Sequence, residues 1–454
     1  MRERSIWLFV GVVVLALSGL IGLGAAGLML LVVTPLMVLG MAGVGRVLSR
    51  PVDVKWLPNL VVVAFIAKLV GAGIRYYYVR TVYGSGDAFG YYRIGKEFAL
   101  QWRAGEVPAL SGSRGYGTQV MEWVSGLVMV PFMPDFFGAF LLFASLSFFG
   151  QLALYAAFRR WAEPHQLKIF ALLVLFMPSY VFWPSSIGKE AIMLLGLGIA
   201  AYCVARAMEA YEVRWLVGVA LAVAGVGFIR IHISALFIGS LLAAAVLAKP
   251  RSRVKGIGSR RLMMVVLVAL IGLAAANSFQ ARYGTDLFSS AEVESFSENV
   301  ADRTTKGSTV PGGPVSSPAD IPGALALVLF RPFIWEASDF EIAISALETT
   351  FLLGLLVWKL PAIFRNRRKW RANSMVVFST FYVLFFSIAF SVVRNLGIIA
   401  RQRTQVLAFF VIIVICLGWE APVEKKRRPT RQLAPEQHIE APQLVGASVV
   451  GDHL

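Results

Sequence analysis

The chain reads as an all-α, polytopic membrane protein, a bundle of about twelve transmembrane helices with both termini cytoplasmic. Three observations lead there. The 454 residues are 57% hydrophobic and only 15% charged, where a soluble domain carries about 25% charged residues. Apolar runs of about 18 residues or more, enough to cross a bilayer, recur along most of the length. The basic residues collect in alternate connections between those runs, as positive-inside topology requires. A soluble enzyme, a fibrous protein and a protein held by one anchor are excluded.

Taken in order, the expected spans are roughly 6–23, 26–45, 57–79, 136–158, 167–184, 188–208, 213–228, 231–248, 262–280, 340–363, 374–392 and 404–420. The start, MRERS before an apolar run, imitates a signal peptide. The run continues through Gly22 to Gly27 into a second apolar stretch, so an uncleaved first helix is expected. The run 119–133 is short and ends at Pro131 and Pro134. It is expected to be re-entrant or interfacial, because irregular backbone at membrane depth survives only inside protein.

With this assignment the inner connections hold Arg46, Arg50 and Lys55, then Arg159 and Arg160, the segment KPRSRVKGIGSRR (249–261), RNRRKWR (365–371) and the basic tail. The formal charge of +17 is therefore mostly a topology signal, with contact to anionic lipid rather than nucleic acid. Two long outer segments remain, about 80–135 and about 281–339. The second runs from an acidic stretch through a Gly/Pro/Ser loop to ALALVLFRPFIW (324–335), expected to be an interfacial helix with Trp335 near the headgroups. Residues 1–420 form the transmembrane domain and 421–454 a polar, basic, disordered tail. No internal repeat is visible.

Chemistry is expected where charge lies against the membrane. Four clusters fall at the outer ends of the spans. The first is GSGDAFGYYR (84–93), in which Asp87 among glycines and aromatics can serve as a base, or hold a hydroxyl or a metal. The second is FWPSSIGKE (182–190), where Lys189 at a helix start suits phosphate and Glu190 pairs with it or favours the helix end. Its likeness to a P-loop is spurious, for the upstream glycine and the strand are missing. The third is FIRIHIS (228–234), with Arg230 and His232. The fourth is RNLGIIARQR (394–403), whose Arg394, Arg401 and Arg403 oppose the positive-inside bias and call for an anion. Acids of the 281–339 segment are the other partners open to them. Arg331 and Glu336 beside Trp335 are weaker companions.

Cys203 and Cys416 lie in apolar runs, giving neither a disulfide framework nor a CxxC pair, and no HExxH motif occurs. No metal site is expected from motifs. A divalent cation at Asp87 is the one cofactor left open.

At these residues the chain resembles bacterial integral-membrane glycosyltransferases that use polyprenyl-linked sugars. The GDAFGYY segment is similar to the acidic loop of GT-C type enzymes. RIHISALF, the Lys189-Glu190 pair, the arginine-rich final loop and the long 281–339 loop resemble O-antigen and exopolysaccharide polymerases. The resemblance implies transfer of a sugar or oligosaccharide from a polyprenyl phosphate or diphosphate, at the outer face of a bacterial plasma membrane, to a glycan or lipid acceptor. It implies catalytic roles for Asp87, Glu190 and His232. Lys189, Arg230, Arg394, Arg401 and Arg403 would bind phosphate. Tyr91, Tyr92, Arg93, Trp183 and Arg331 would contact the substrate. The rival expectation is a transporter or flippase of an anionic lipid-linked substrate.

Overall fold

The computed structural model describes residues 32–50, 54–109, 116–250, 257–283, 299–302, 304 and 313–420. The expected span 6–23, the start of 26–45, much of the acidic and Gly/Pro/Ser stretch of 281–339 and the tail 421–454 lie outside the described residues. Among the described residues the chain is helical throughout and no strand occurs.

The helices are α1 (Thr34–Ser49), α2 (Leu57–Tyr77), α3 (Asp87–Arg103), α4 (Tyr116–Met129), α5 (Phe136–Arg159), α6 (Leu167–Phe176), α7 (Pro178–Phe182) and α8 (Lys189–Ala210). They continue as α9 (Val213–Ile229), α10 (Ile231–Leu247), α11 (Ile257–Tyr283), α12 (Ile321–Phe330), α13 (Phe340–Asn366), α14 (Ser374–Phe390), α15 (Leu396–Arg403) and α16 (Leu407–Gly418). Among the described residues five helices are long and apolar enough to cross a membrane, six if the bent pair α15–α16 counts as one span.

Local chemistry sets the helix ends. Asp135 caps α5 by accepting from the Gly138 amide at 2.9 Å. Asp339 caps α13 through Ile342, and Asn395 caps α15 through Ile398. Each side chain satisfies an amide that the first helical turn leaves open. A left-handed Gly84, φ 60°, ends the π-helical turn Tyr78–Tyr83 that extends α2.

The core is built on α5 and α8, with α2, α6, α10, α14 and α16 around them. Glycines bring the first two into backbone contact. A Cβ on Gly198 would lie 2.2 Å from the Gly150 carbonyl oxygen, and one on Gly150 would lie 2.3 Å from the Leu194 carbonyl oxygen. Small residues permit such close approach where helices have only packing to hold them. By contrast α11 is buried over only 17% of its apolar window, so it sits at the periphery.

One expected span is divided, and three other segments take a definite form. The run 167–184 is two helices, because Met177 is extended ahead of Pro178, as the residue before a proline prefers. The connection 394–403 before the last expected span holds the helix α15, which meets α16 at a bend of 59°. Residues 116–129 form the regular helix α4, which packs against α3 as a hairpin and ends ahead of Pro131. In the 324–335 segment Ala324 and Leu327–Phe330 of α12 are buried against α14. Its Trp335 is 81% exposed.

Candidate functional site

Three of the four charged clusters converge at one end of the bundle. Glu190, in the first turn of α8, is buried. One of its carboxylate oxygens takes the Arg230 guanidinium at 2.9 Å and the Arg401 guanidinium at 3.1 Å. Arg230 stands at the break between α9 and α10, and Arg401 in the last turn of α15. Arg230 also donates to the Gln402 side chain. Two guanidinium groups thus share one carboxylate.

Lys189 adds a third positive charge, held by a hydroxyl: its Nζ donates to Thr118 Oγ1 at 3.2 Å. Gly117 puts Thr118 there. A Cβ at Gly117 would lie 2.4 Å from the Ile229 carbonyl oxygen, so only glycine lets the start of α4 abut the end of α9. The buried Tyr91 on α3 lies beside Thr118. Burial pushes the Tyr91 phenol up, and the Asp87 charge adds to the effect. Asp87 itself is exposed at the first position of α3, within electrostatic range of Lys189 and Arg401.

Arg401 opens onto a cavity of about 540 Å³ whose lining includes Arg75, Tyr78, Tyr83, Trp183, Asp339 and Glu341. Arg75 pairs with Glu341 at 3.2 Å, and Tyr83 donates to the same carboxylate. The Arg75 guanidinium lies 4.8 Å from the Phe182 ring and 5.0 Å from the Trp183 ring, an arrangement in which cation–π attraction adds to the ion pair. The cavity therefore combines aromatic walls, two guanidinium groups and two carboxylates.

Other expected residues stand elsewhere. Arg403 is fully buried and donates to the Arg331 carbonyl at 2.5 Å, so it faces the core instead of the Glu190 cluster. His232 sits in the first turn of α10 with its ring 5.8 Å from that of Phe390, and does not touch the cluster. Tyr92 donates to the Pro134 carbonyl and packs on Phe136. Arg93 is exposed on α3. Arg331 grips Glu336 through both nitrogens of its fork. The Arg394 amide is bonded to Thr304. Of the three arginines in the fourth cluster Arg401 joins the site, with Gln402 beside it.

Thr118, Gln402, Asp339, Glu341 and Arg75 were given no role by the sequence. The available signal was SDFE (338–341), two acids opening an apolar helix. Such acids read as helix capping, which Asp339 indeed performs. Among the described residues no group of three His, Cys, Asp or Glu side chains converges as metal ligands. No protein-family model, no curated protein and no solved structure matches the chain.

Proposed function

We propose that the protein is a membrane-embedded glycosyltransferase that takes a sugar or oligosaccharide from a polyprenyl phosphate or diphosphate. The single observation behind this reading is Glu190 shared by Arg230 and Arg401 beside an aromatic-walled cavity. One buried carboxylate under two guanidinium groups and next to Lys189 leaves positive charge unbalanced, and arginine forks match phosphate oxygens. Tyr78, Tyr83 and Trp183 offer flat faces to a sugar ring. In the reaction an acceptor hydroxyl oxygen attacks the anomeric carbon and the bond to the phosphate oxygen breaks. The leaving phosphate carries its negative charge toward Arg401 and Lys189. The hydroxyl proton passes to a carboxylate, Asp87 in this reading.

The finer topology belongs to the same proposal: twelve spans, both termini cytoplasmic, and the cavity on the outer face of a bacterial plasma membrane. Basic connections such as 249–261 and 365–371 support it. A glycan or lipid acceptor would reach the cavity from the outer leaflet, in assembly of a cell-envelope polysaccharide or glycolipid.

A second reading, transport of an anionic lipid-linked substrate, draws on a different observation. Two helices are broken, at Met177–Pro178 and between α15 and α16, as binding helices of transporters are. Mass spectrometry of lipid-linked and surface glycans separates the two. A deletion strain is complemented with wild type or with Asp87→Asn. Transferase function predicts a shortened glycan, an accumulated lipid-linked precursor and restoration by wild type alone. Unchanged glycans, or full restoration by Asp87→Asn, remove the catalytic role and favour transport.

A further inference from the structure

The two helix breaks meet in the core around charges that the proposed site does not use. Lys68, midway along α2 and fully buried, donates to the Tyr180 carbonyl at 2.5 Å. Glu348 of α13 accepts from the Ser179 amide at 2.6 Å. The Tyr180 hydroxyl accepts from the Ala408 amide at 2.9 Å, in the first turn of α16. The first break is thus held by a cation and an anion, and its tyrosine satisfies the start of the helix after the second. Arg403, at the edge of that second break, is fully buried and donates through Nη1 to the Arg331 carbonyl.

Much of the polar inventory here is unsatisfied by protein. Arg403 Nε and Nη2, Glu348 Oε1 and Ser179 Oγ are buried without a hydrogen-bond partner. Nε and Nη2 form the edge of the guanidinium that matches a forked acceptor. Glu348 and Arg403 are electrostatically coupled, yet the free Glu348 oxygen does not reach the free Arg403 edge. Polar groups buried without a partner are costly, and charged ones more so.

The donors and acceptors define what can satisfy them together. An anion would satisfy Arg403 but face the Glu348 carboxylate. A cation would satisfy Glu348 but face the Arg403 guanidinium. Water accepts from Nε–H and Nη2–H and donates to Oε1, and the Ser179 hydroxyl can take either part. We propose that Arg403, Glu348 and Ser179 form an internal water site, in which ordered solvent bridges the ion pair between the two helix breaks. Water at such a place lets a broken helix keep its free polar groups satisfied while its segments re-aim.

The test uses the full chain in lipid nanodiscs. Cryo-electron microscopy at a resolution that shows solvent should reveal density within hydrogen-bond reach of both Arg403 Nη2 and Glu348 Oε1. A direct Arg403–Glu348 ion pair, or an empty gap, overturns the proposal. Thermal unfolding of Arg403→Met, Glu348→Met and the double variant gives a second measurement. A bridged pair predicts that each single variant lowers Tm and that the double variant loses much less than the sum. Additive losses overturn the coupling. Should Arg403→Met fail to accumulate, Glu348→Gln keeps an acceptor for the Ser179 amide and replaces the carboxylate oxygen facing the water with an uncharged donor. The bridging density should then weaken or shift, and its persistence unchanged would show that the carboxylate charge does not hold the water.

Discussion

Glu190 and Arg230 are separated by 40 positions in the chain and meet at 2.9 Å, both nearly out of contact with solvent. The pair ties the start of α8 to the break between α9 and α10, and Arg401 completes it from α15. A carboxylate serving two cations is a point of vulnerability, since its removal leaves the buried Arg230 and the cavity-lining Arg401 without their shared counter-charge.

Glu190→Gln should accordingly lower stability by about 3–5 kcal/mol, the range for breaking a buried pair from one side. Thermal unfolding in detergent or nanodiscs measures it. Added inorganic phosphate should raise the Tm of this variant more than that of wild type, because the freed guanidinium groups then have an anion to bind. Equal response of the two proteins would argue against an anion site at Arg230 and Arg401.

Arg75 is held by geometry as well as charge. Lysine can pair with Glu341 but cannot stack a planar fork between Phe182 and Trp183. Arg75→Lys should therefore destabilise nearly as much as Arg75→Met, by about 1–3 kcal/mol beyond any loss of charge pairing. Full retention of stability in Arg75→Lys would reduce the contact to a simple ion pair.

Gly117→Val should force α4 away from the Ile229 carbonyl, costing about 1–3 kcal/mol and moving Thr118 off Lys189. Activity in the glycan assay should fall with it. Gly90→Ala, where an added Cβ meets nothing within 4 Å, is the matched control and should leave both properties near wild type.

The turn around Glu336 supplies a pH test. Burial pushes its carboxyl up, but hydrogen bonds from Arg331 and the Phe333 amide outweigh that and hold it below its ordinary value of 4.5. A carboxyl depressed by folding stabilises above its unfolded pKa, and the contribution disappears as pH falls through the lowered folded value. Limited proteolysis of the 331–336 segment should therefore be slow at neutral pH and faster once the pH is well below 4.5, and Glu336→Gln should lose that dependence.

Much of the site could be read from the chain because charge is costly at a membrane surface, so Asp87, Lys189, Glu190, Arg230 and Arg401 stand out before any folding is considered. Their meeting could not be read, for it depends on Gly117 and on helix order. Arg403 was misplaced for a reason that spacing alone can supply. Two residues along a helix are about 200° apart in rotation, so Arg401 and Arg403 cannot face the same partner. The break at Pro178 was hidden because 167–184 is apolar from end to end, and proline at the first position of a helix is ordinary. Lys68, Glu348 and Arg403 carry no common motif. Only packing shows that they serve two interruptions at once.

The seam between α5 and α8 has a mechanical corollary. Where the Gly150 and Gly198 backbones touch, there are no interleaved side chains to slide past one another, and twist in one helix passes directly to the other. The pair behaves as a single beam that carries Glu190 at its end. Any opening of the cavity must then find its joints elsewhere in the bundle, at Met177 and at the elbow between Arg403 and Leu407, while the beam keeps the Glu190 carboxylate at a fixed height.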